Sequence, residues 1–179
     1  MATAAPLNEH EFARRLRNCL ERQLPGYKVV VGEPLLYKLI VDGRGKVKPS
    51  DINHPVRGQL AFETDVLIKN ESVPLVVAET KLGRFTTHDV LTYSAKARSH
   101  KNVYPYLRYG LVVGAKEKID TRFFTHNRDF DFAVAISDAD AAEGELKEII
   151  TKQLRIAEGL ISVLDGAEVR RFESTIDFR

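Results

Sequence analysis

Cysteine is nearly absent from this 179-residue chain: Cys19 stands alone, so no disulfide can form within it. Nothing in the composition therefore calls for an oxidising compartment. No apolar run approaches the roughly 20 residues that a membrane-spanning helix requires. Met1 to Leu7 is short and weakly apolar with no basic lead, unlike a secretory signal. The expectation is a soluble, cytoplasmic protein with no membrane partner. Also missing are G-x-x-x-x-G-K-[ST], G-x-S-x-G and a complete G-x-G-x-x-G, which removes the common nucleotide-binding and hydrolase signatures. The five histidines form no zinc pair, and one cysteine cannot build a structural zinc site. There are no internal repeats and no low-complexity tract.

What is present suits a folded domain. The hydrophobic fraction is 44% and the charged fraction 29%, so a core can form under an ordinary surface. The length fits a single domain spanning 1–179, with a core at about 7–136. Net charge is only +2, so any nucleic-acid partner must be argued from where the charges sit.

From Leu7 to Leu24, Phe12, Leu16, Cys19, Leu20 and Leu24 recur at helical spacing, and Pro25-Gly26 stops the helix. Tyr27 to Val31 and Leu35 to Val41 read as one bent strand or two short ones, interrupted by Gly32 and Pro34. Asp42 to Gly58 reads as a long loop. Leu60 to Ile68 reads as a strand, turned by Lys69 to Ser72 into a second strand, Val73 to Leu82. The run Leu75-Val76-Val77-Ala78 suggests burial on both faces of that second strand. A helix follows from Thr86 to about Lys101, then strands at Arg108 to Gly114 and Phe132 to Ile136. The last element is an amphipathic helix from Glu143 to Leu164. This order predicts an α/β domain with a mixed sheet.

The chemistry gathers on the two central strands. Side chains alternate along a strand, so Leu75, Val77, Glu79 and Lys81 are expected on one face, the last two about 6.6 Å apart. Asp65 interrupts an apolar run, where a carboxylate is costly without a partner. If the strands pair through the turn near Asn70, Asp65, Glu79 and Lys81 converge. Two repelling carboxylates suit Mg²⁺ or Mn²⁺, which accept one or two protein carboxylates and keep water and phosphate as other ligands. A nearby lysine can stabilise charge on a phosphate or orient the attacking water.

Thr64-Asp65 followed by Val77-Ala78-Glu79-Thr80-Lys81 resembles the signature of the PD-(D/E)XK nuclease superfamily, with Thr64 standing where the family name has proline. The resemblance covers roughly Leu7 to Gly114. It implies a restriction-endonuclease-like fold: a mixed central sheet flanked by helices, an α-β-β-β-α-β core, here with an additional C-terminal helix. It also implies a metal-dependent deoxyribonuclease, with Asp65, Glu79 and Lys81 catalytic and Asp65 and Glu79 on the metal. Many relatives add a Glu from the first helix; Glu9 is in phase to face inward, and Glu11 is a second choice. In the branch resembling RecB-type nucleases and type I restriction subunits, the helix after the motif carries Gln and, four residues on, Tyr. Tyr93 matches, while Asp89 replaces the Gln and also fits a capping box with Thr86.

Basic residues flank the acidic centre. Arg44, Lys46, Lys48 and Arg57 stand in the long loop, and Arg84, Lys96, Arg98 and Lys101 follow the motif, suited to DNA phosphates. Cys19 is expected in the core, and Asp129 and Asp131 as loop and strand-edge residues. The expected role is restriction or defence, or else DNA repair. The rival is a non-catalytic nucleic-acid-binding or interaction module on the same fold. The C-terminal helix is expected to cover the sheet; the competing expectation is that its stripe pairs two copies in a homodimer, or that the chain serves a larger restriction or repair complex.

Overall fold

The computed structural model describes residues 7–137 and 143–171. Helix α1 (Glu9–Gln23) begins at Asn8, whose side-chain oxygen accepts the Glu11 backbone N–H at 2.9 Å, a standard way to satisfy a helix's free N-terminal donors. The chain continues through β1 (Lys28–Val31), β2 (Pro34–Leu36), β3 (Ile40–Val41), β4 (Val47–Lys48), β5 (Ala61–Glu63), β6 (Val66–Asn70) and β7 (Val73–Leu82). It then forms α2 (Thr87–Val103), β8 (Arg108–Gly114), α3 (Thr121–His126), β9 (Phe132–Ile136) and α4 (Glu143–Leu164).

Five strands make the central sheet in the order β1-β6-β7-β8-β9. β1, β6 and β7 pair antiparallel; β7, β8 and β9 pair parallel, which makes the sheet mixed. One face packs on α1 and α4 through Phe12, Leu16, Leu20, Leu146, Ile150 and Leu154. The other packs on α2 and α3 through Val90, Ala97 and Phe123. β7 lies between these layers, and Leu75 to Ala78 are all at most 1% exposed, as its unbroken apolar run leads one to expect. The stripe of α4 is consumed by the sheet: Leu146, Ile150, Leu154 and Ala157 are buried, which leaves Val163 and Leu164 exposed at its end. The helix thus covers the sheet. Among the described residues, no helix is long and apolar enough to cross a membrane.

Three readings of the sequence need correction. Leu60 to Ile68 is not one strand. Its first part, β5, pairs with β2 in a separate two-stranded ribbon, and its second part, β6, joins the central sheet. The change of sheet falls at Thr64-Asp65, where the Thr64 N–H and hydroxyl both donate to the Glu33 carbonyl, at 3.1 and 2.9 Å. Asp65 therefore sits between strands rather than inside one. Second, Leu75 does not share a face with Val77. Ile68 pairs with Val76 but Lys69 with Pro74, so Leu75 is the extra residue of a bulge and turns with Val76 and Ala78 toward α1 and α4. Third, the segment from Leu35 to Val41 breaks between β2 and β3, and β3 pairs with β4, which lies within the expected loop, in a small hairpin. Asp42 closes that hairpin by accepting the Arg44 and Lys46 backbone N–H groups, a local competitor to a longer strand.

Gly110 on β8 stands beside Phe132 on β9. A Cβ there would meet the Phe132 ring at 2.2 Å. Gly110→Ala should cost at least about 1–3 kcal/mol, the usual range for overpacking a filled core. Urea denaturation checks this, and an unchanged midpoint would mean that the ring has room to move.

Candidate active site

Asp65 is held by what its own strand leaves undone. The β6–β7 ladder ends at Val66 opposite Ala78. Beyond that point the Asp65 carboxylate takes the place of a strand: its Oδ2 accepts the Thr80 backbone N–H at 2.7 Å and the Thr80 hydroxyl at 3.0 Å. Among the described residues nothing donates to its other oxygen.

Glu79, one residue before Thr80, is 0% exposed. Its Oε1 accepts Lys96 Nζ at 2.7 Å and the Tyr109 hydroxyl. Its Oε2 is buried and, among the described residues, has no partner. Burial raises the Glu79 carboxyl above its ordinary range and the charge of Asp65 pushes the same way, with Lys96 opposing both. Tyr109 is likewise raised well above the ordinary phenol value, first by burial and then by Glu79. Lys96 Nζ also donates to the Glu63 carbonyl at 2.6 Å, linking α2 to β5. Behind this cluster the ring of His100 stacks on Tyr109, with centroids 5.7 Å apart, and its Nδ1 donates to the Leu36 carbonyl at 2.9 Å. His100 Nε2 is buried without a partner among the described residues, and burial pulls the imidazole down to about 4.

Lys81 forms a second cluster. Its side chain is 15% exposed and its Nζ lies 3.2 Å from Glu9 Oε1 and 3.7 Å from Asp89 Oδ1. It also stands 5.4 Å from the centroid of the Tyr93 ring. Burial alone would lower the Lys81 pKa, but Tyr93 and Glu9 outweigh it and raise the value. Tyr93 lines an open cleft of about 720 Å³ together with Asp65, Glu79, Lys96, Arg57 and Phe62, and its ring is the one that Lys81 approaches.

The structure therefore brings Asp65 and Glu79 to one cleft and ties Lys81 to Glu9, Asp89 and the Tyr93 ring. Glu9 faces Lys81, not the two carboxylates, and Glu11 pairs with Arg14 and Arg15 at the surface. Asp89 does both things the sequence allowed. It completes the capping box with Thr86 and approaches Lys81. Among the described residues no three His, Cys, Asp or Glu side chains converge on a point. The donors that could hold a divalent cation are the free oxygens of Asp65 and Glu79. Two hard carboxylate oxygens, one of them buried and unpaired, fit a cation that takes its remaining ligands from water.

The basic residues divide. Arg44, Lys46 and Arg84 are exposed and, among the described residues, form no ion pair. Arg57 meets Glu63 at 3.2 Å in an exposed pair, and Lys48 approaches Asp42 at 3.9 Å. Arg98 and Lys101 are tied to Asp129 and Asp131, at 3.1 and 2.7 Å, and Arg108 joins Asp131 at 3.0 Å. Lys96 was grouped with the phosphate contacts in the sequence, yet it lies inside the site. Its position was legible, because it follows Tyr93 by three residues and such neighbours share a helix face. Tyr109 carried a weaker signal: it is the one hydroxyl in an apolar strand, and a buried phenol needs a partner. Thr80 and Glu63 carried none, since their roles arise from the change of sheet.

Two predictions follow from the buried network. Lys96→Met removes one member of a buried pair and should cost about 3–5 kcal/mol at neutral pH, with Glu79→Gln in the same chain recovering most of the loss. Equal instability of the single and double variants in denaturant would disprove the coupling. For His100, the unfolded chain takes up a proton as pH falls from its ordinary 6.5 toward about 4, and the folded chain does not. Stability should thus decline on acidification through that window. His100→Gln should lack this contribution, as read from unfolding free energies at pH 7 and pH 5. Comparison of the chain with protein-family models, with curated proteins and with solved structures finds no match.

Proposed function

We propose that this chain is a metal-dependent deoxyribonuclease, hydrolysing DNA phosphodiester bonds on a restriction-endonuclease-like fold. The observation that carries the proposal is the unpaired oxygen of Glu79, wholly buried beside Asp65 at the wall of an open cleft. A buried carboxylate oxygen without a donor is costly, and a hard cation relieves that cost together with the repulsion between the two acids. Mg²⁺ or Mn²⁺ bound there would polarise the phosphate and lower the pKa of a coordinated water.

The protein's own groups prepare the rest. Thr80 fixes the Asp65 rotamer from two sides, and Lys96 and Tyr109 fix Glu79. Lys81 is held charged by Glu9 and Asp89, beside the Tyr93 ring. There it would stabilise negative charge developing on the phosphate. Arg44, Lys46, Arg57 and Arg84 supply exposed cations for the DNA backbone. The working role is restriction or defence in the cytoplasm, followed by repair, with the chain acting alone or within a larger complex.

A second reading has one observation in its favour. Lys96 neutralises Glu79 from within the fold, as it would in a purely structural ion pair, and a non-catalytic nucleic-acid-binding module could retain such a pair. Plasmid, linear and branched DNA incubated with Mg²⁺, Mn²⁺ or chelator separates the two. Cleavage should require metal. Asp65→Asn and Glu79→Gln should abolish it and weaken the thermal stabilisation that Mg²⁺ gives the parent. Lys81→Ala should lose roughly 10²-fold in rate with a modest change in affinity. If both carboxylate variants cut like the parent, the site is misassigned; if the parent never cuts and gains no stability from metal, the binding-module reading prevails.

A further inference from the structure

The cleft holds a feature that metal chemistry does not use. Phe62, on β5, is 41% exposed despite its size. Its ring lies 3.9 Å from that of Tyr37 at an interplanar angle of 13°, and His100 meets it edge-on at 6.0 Å. The stack follows from the ribbon. Tyr37 donates its backbone N–H to the Leu60 carbonyl and so continues the β2–β5 pairing, with Phe62 diagonal to it, within reach for aromatic side chains. Both rings line the same cleft as Asp65 and Glu79.

We infer that Tyr37 and Phe62 form a stacking platform for an unpaired base, so that the substrate is DNA with single-stranded character next to the scissile phosphate. The inference rests on the nuclease reading for the word substrate; the binding it describes does not need cleavage. Three observations support it. First, the platform is held in place, with Tyr37 against one ring and His100 at its edge, so little order remains to be imposed on binding. Second, Phe62 precedes Asp65 by three residues, a Cα separation of at most about 10 Å. A base on the ring and a phosphate at the carboxylates can therefore belong to neighbouring positions of one strand. Third, the cleft suits a nucleotide. Its volume of about 720 Å³ lies within the roughly 300–1,000 Å³ usual for small-ligand sites. Its wall adds Thr92, Ser99 and Arg57, whose guanidinium, among the described residues, is countered only by the exposed Glu63. Bases inside a duplex are stacked on both faces and cannot offer one to Phe62. A flap, a gap, a frayed end or a flipped base can.

The test measures binding in EDTA, where no cleavage occurs, by fluorescence anisotropy of labelled single-stranded, flapped and blunt duplex DNA. The parent should bind the first two more tightly than the blunt duplex. Phe62→Ala should weaken single-strand binding about ten-fold or more, the scale of one lost stacked base, and change duplex binding less than two-fold. Phe62→Leu preserves apolar packing on Tyr37 without a flat ring and should behave like Phe62→Ala, while Phe62→Trp should retain the parent's affinity. A parent that prefers blunt duplex, or a Phe62→Leu variant with parental single-strand affinity, would overturn the inference. Asp65→Asn separates the two claims, since it should lose cleavage while keeping the parent's preference for single-stranded and flapped over blunt DNA. Asp65-dependent cutting of blunt duplex that ignores Phe62 would sink the platform and leave the nuclease.

Discussion

A carboxylate shut off from water at the end of the central strand sets the terms for everything around it. Glu79 ends the most deeply buried stretch of β7, and the groups that bond its carboxylate are supplied by other elements. Lys96 comes from α2 and Tyr109 from β8. To place them, α2 must cross the sheet at one height, and β8 must run parallel to β7 in one register, with Val77 opposite Tyr109. His100 then braces the Tyr109 ring and ties α2 to the ribbon through Leu36. Two strands, a helix and the ribbon are thereby committed to a single acidic side chain. Buried ion pairs are seldom a source of net stability compared with apolar packing. The cost of keeping this one is understandable if half of its carboxylate is reserved for a ligand.

The second constraint is topological. At Thr64-Asp65 the chain leaves the ribbon for the central sheet, and that step places three groups around one cleft. Phe62 and Glu63 remain on the ribbon, and Asp65 turns toward β7 to take the Thr80 N–H that the ladder leaves free. The two sheets are joined here by two residues, Thr64 and Asp65. Phe62 and Asp65, an aromatic and an acidic side of the cleft, thus belong to one continuous segment.

Much of this was legible in the sequence where local pattern governs. The bounds of β8, β9 and α4 follow from apolar runs and period, and the burial of Cys19 from its place in the α1 stripe. That Asp65 and Glu79 lie toward the same end of the β6–β7 hairpin was legible from the turn at Asn70. Features set by non-local hydrogen bonds were not. The break at Thr64 depends on Glu33, thirty-one residues away in sequence. The bulge at Leu75 depends on Pro74, which cannot donate to the ladder. The six-residue α3 is too short for periodicity to reveal. Lys81 was expected among the carboxylates because strand alternation fixes its face. What alternation cannot fix is the direction of a long flexible side chain, and this one meets Glu9 and Asp89.

Asp89 occupies an unusual position in this arrangement. It caps α2 and touches Lys81 with the same carboxylate. That helix carries Tyr93 and Lys96, one facing each cluster, so its first turn is a mechanical link between the cationic group and the aromatic wall. A ligand that draws Lys81 forward would release one of the two grips Asp89 holds and leave the other intact. The lysine could change partner while the helix kept its cap.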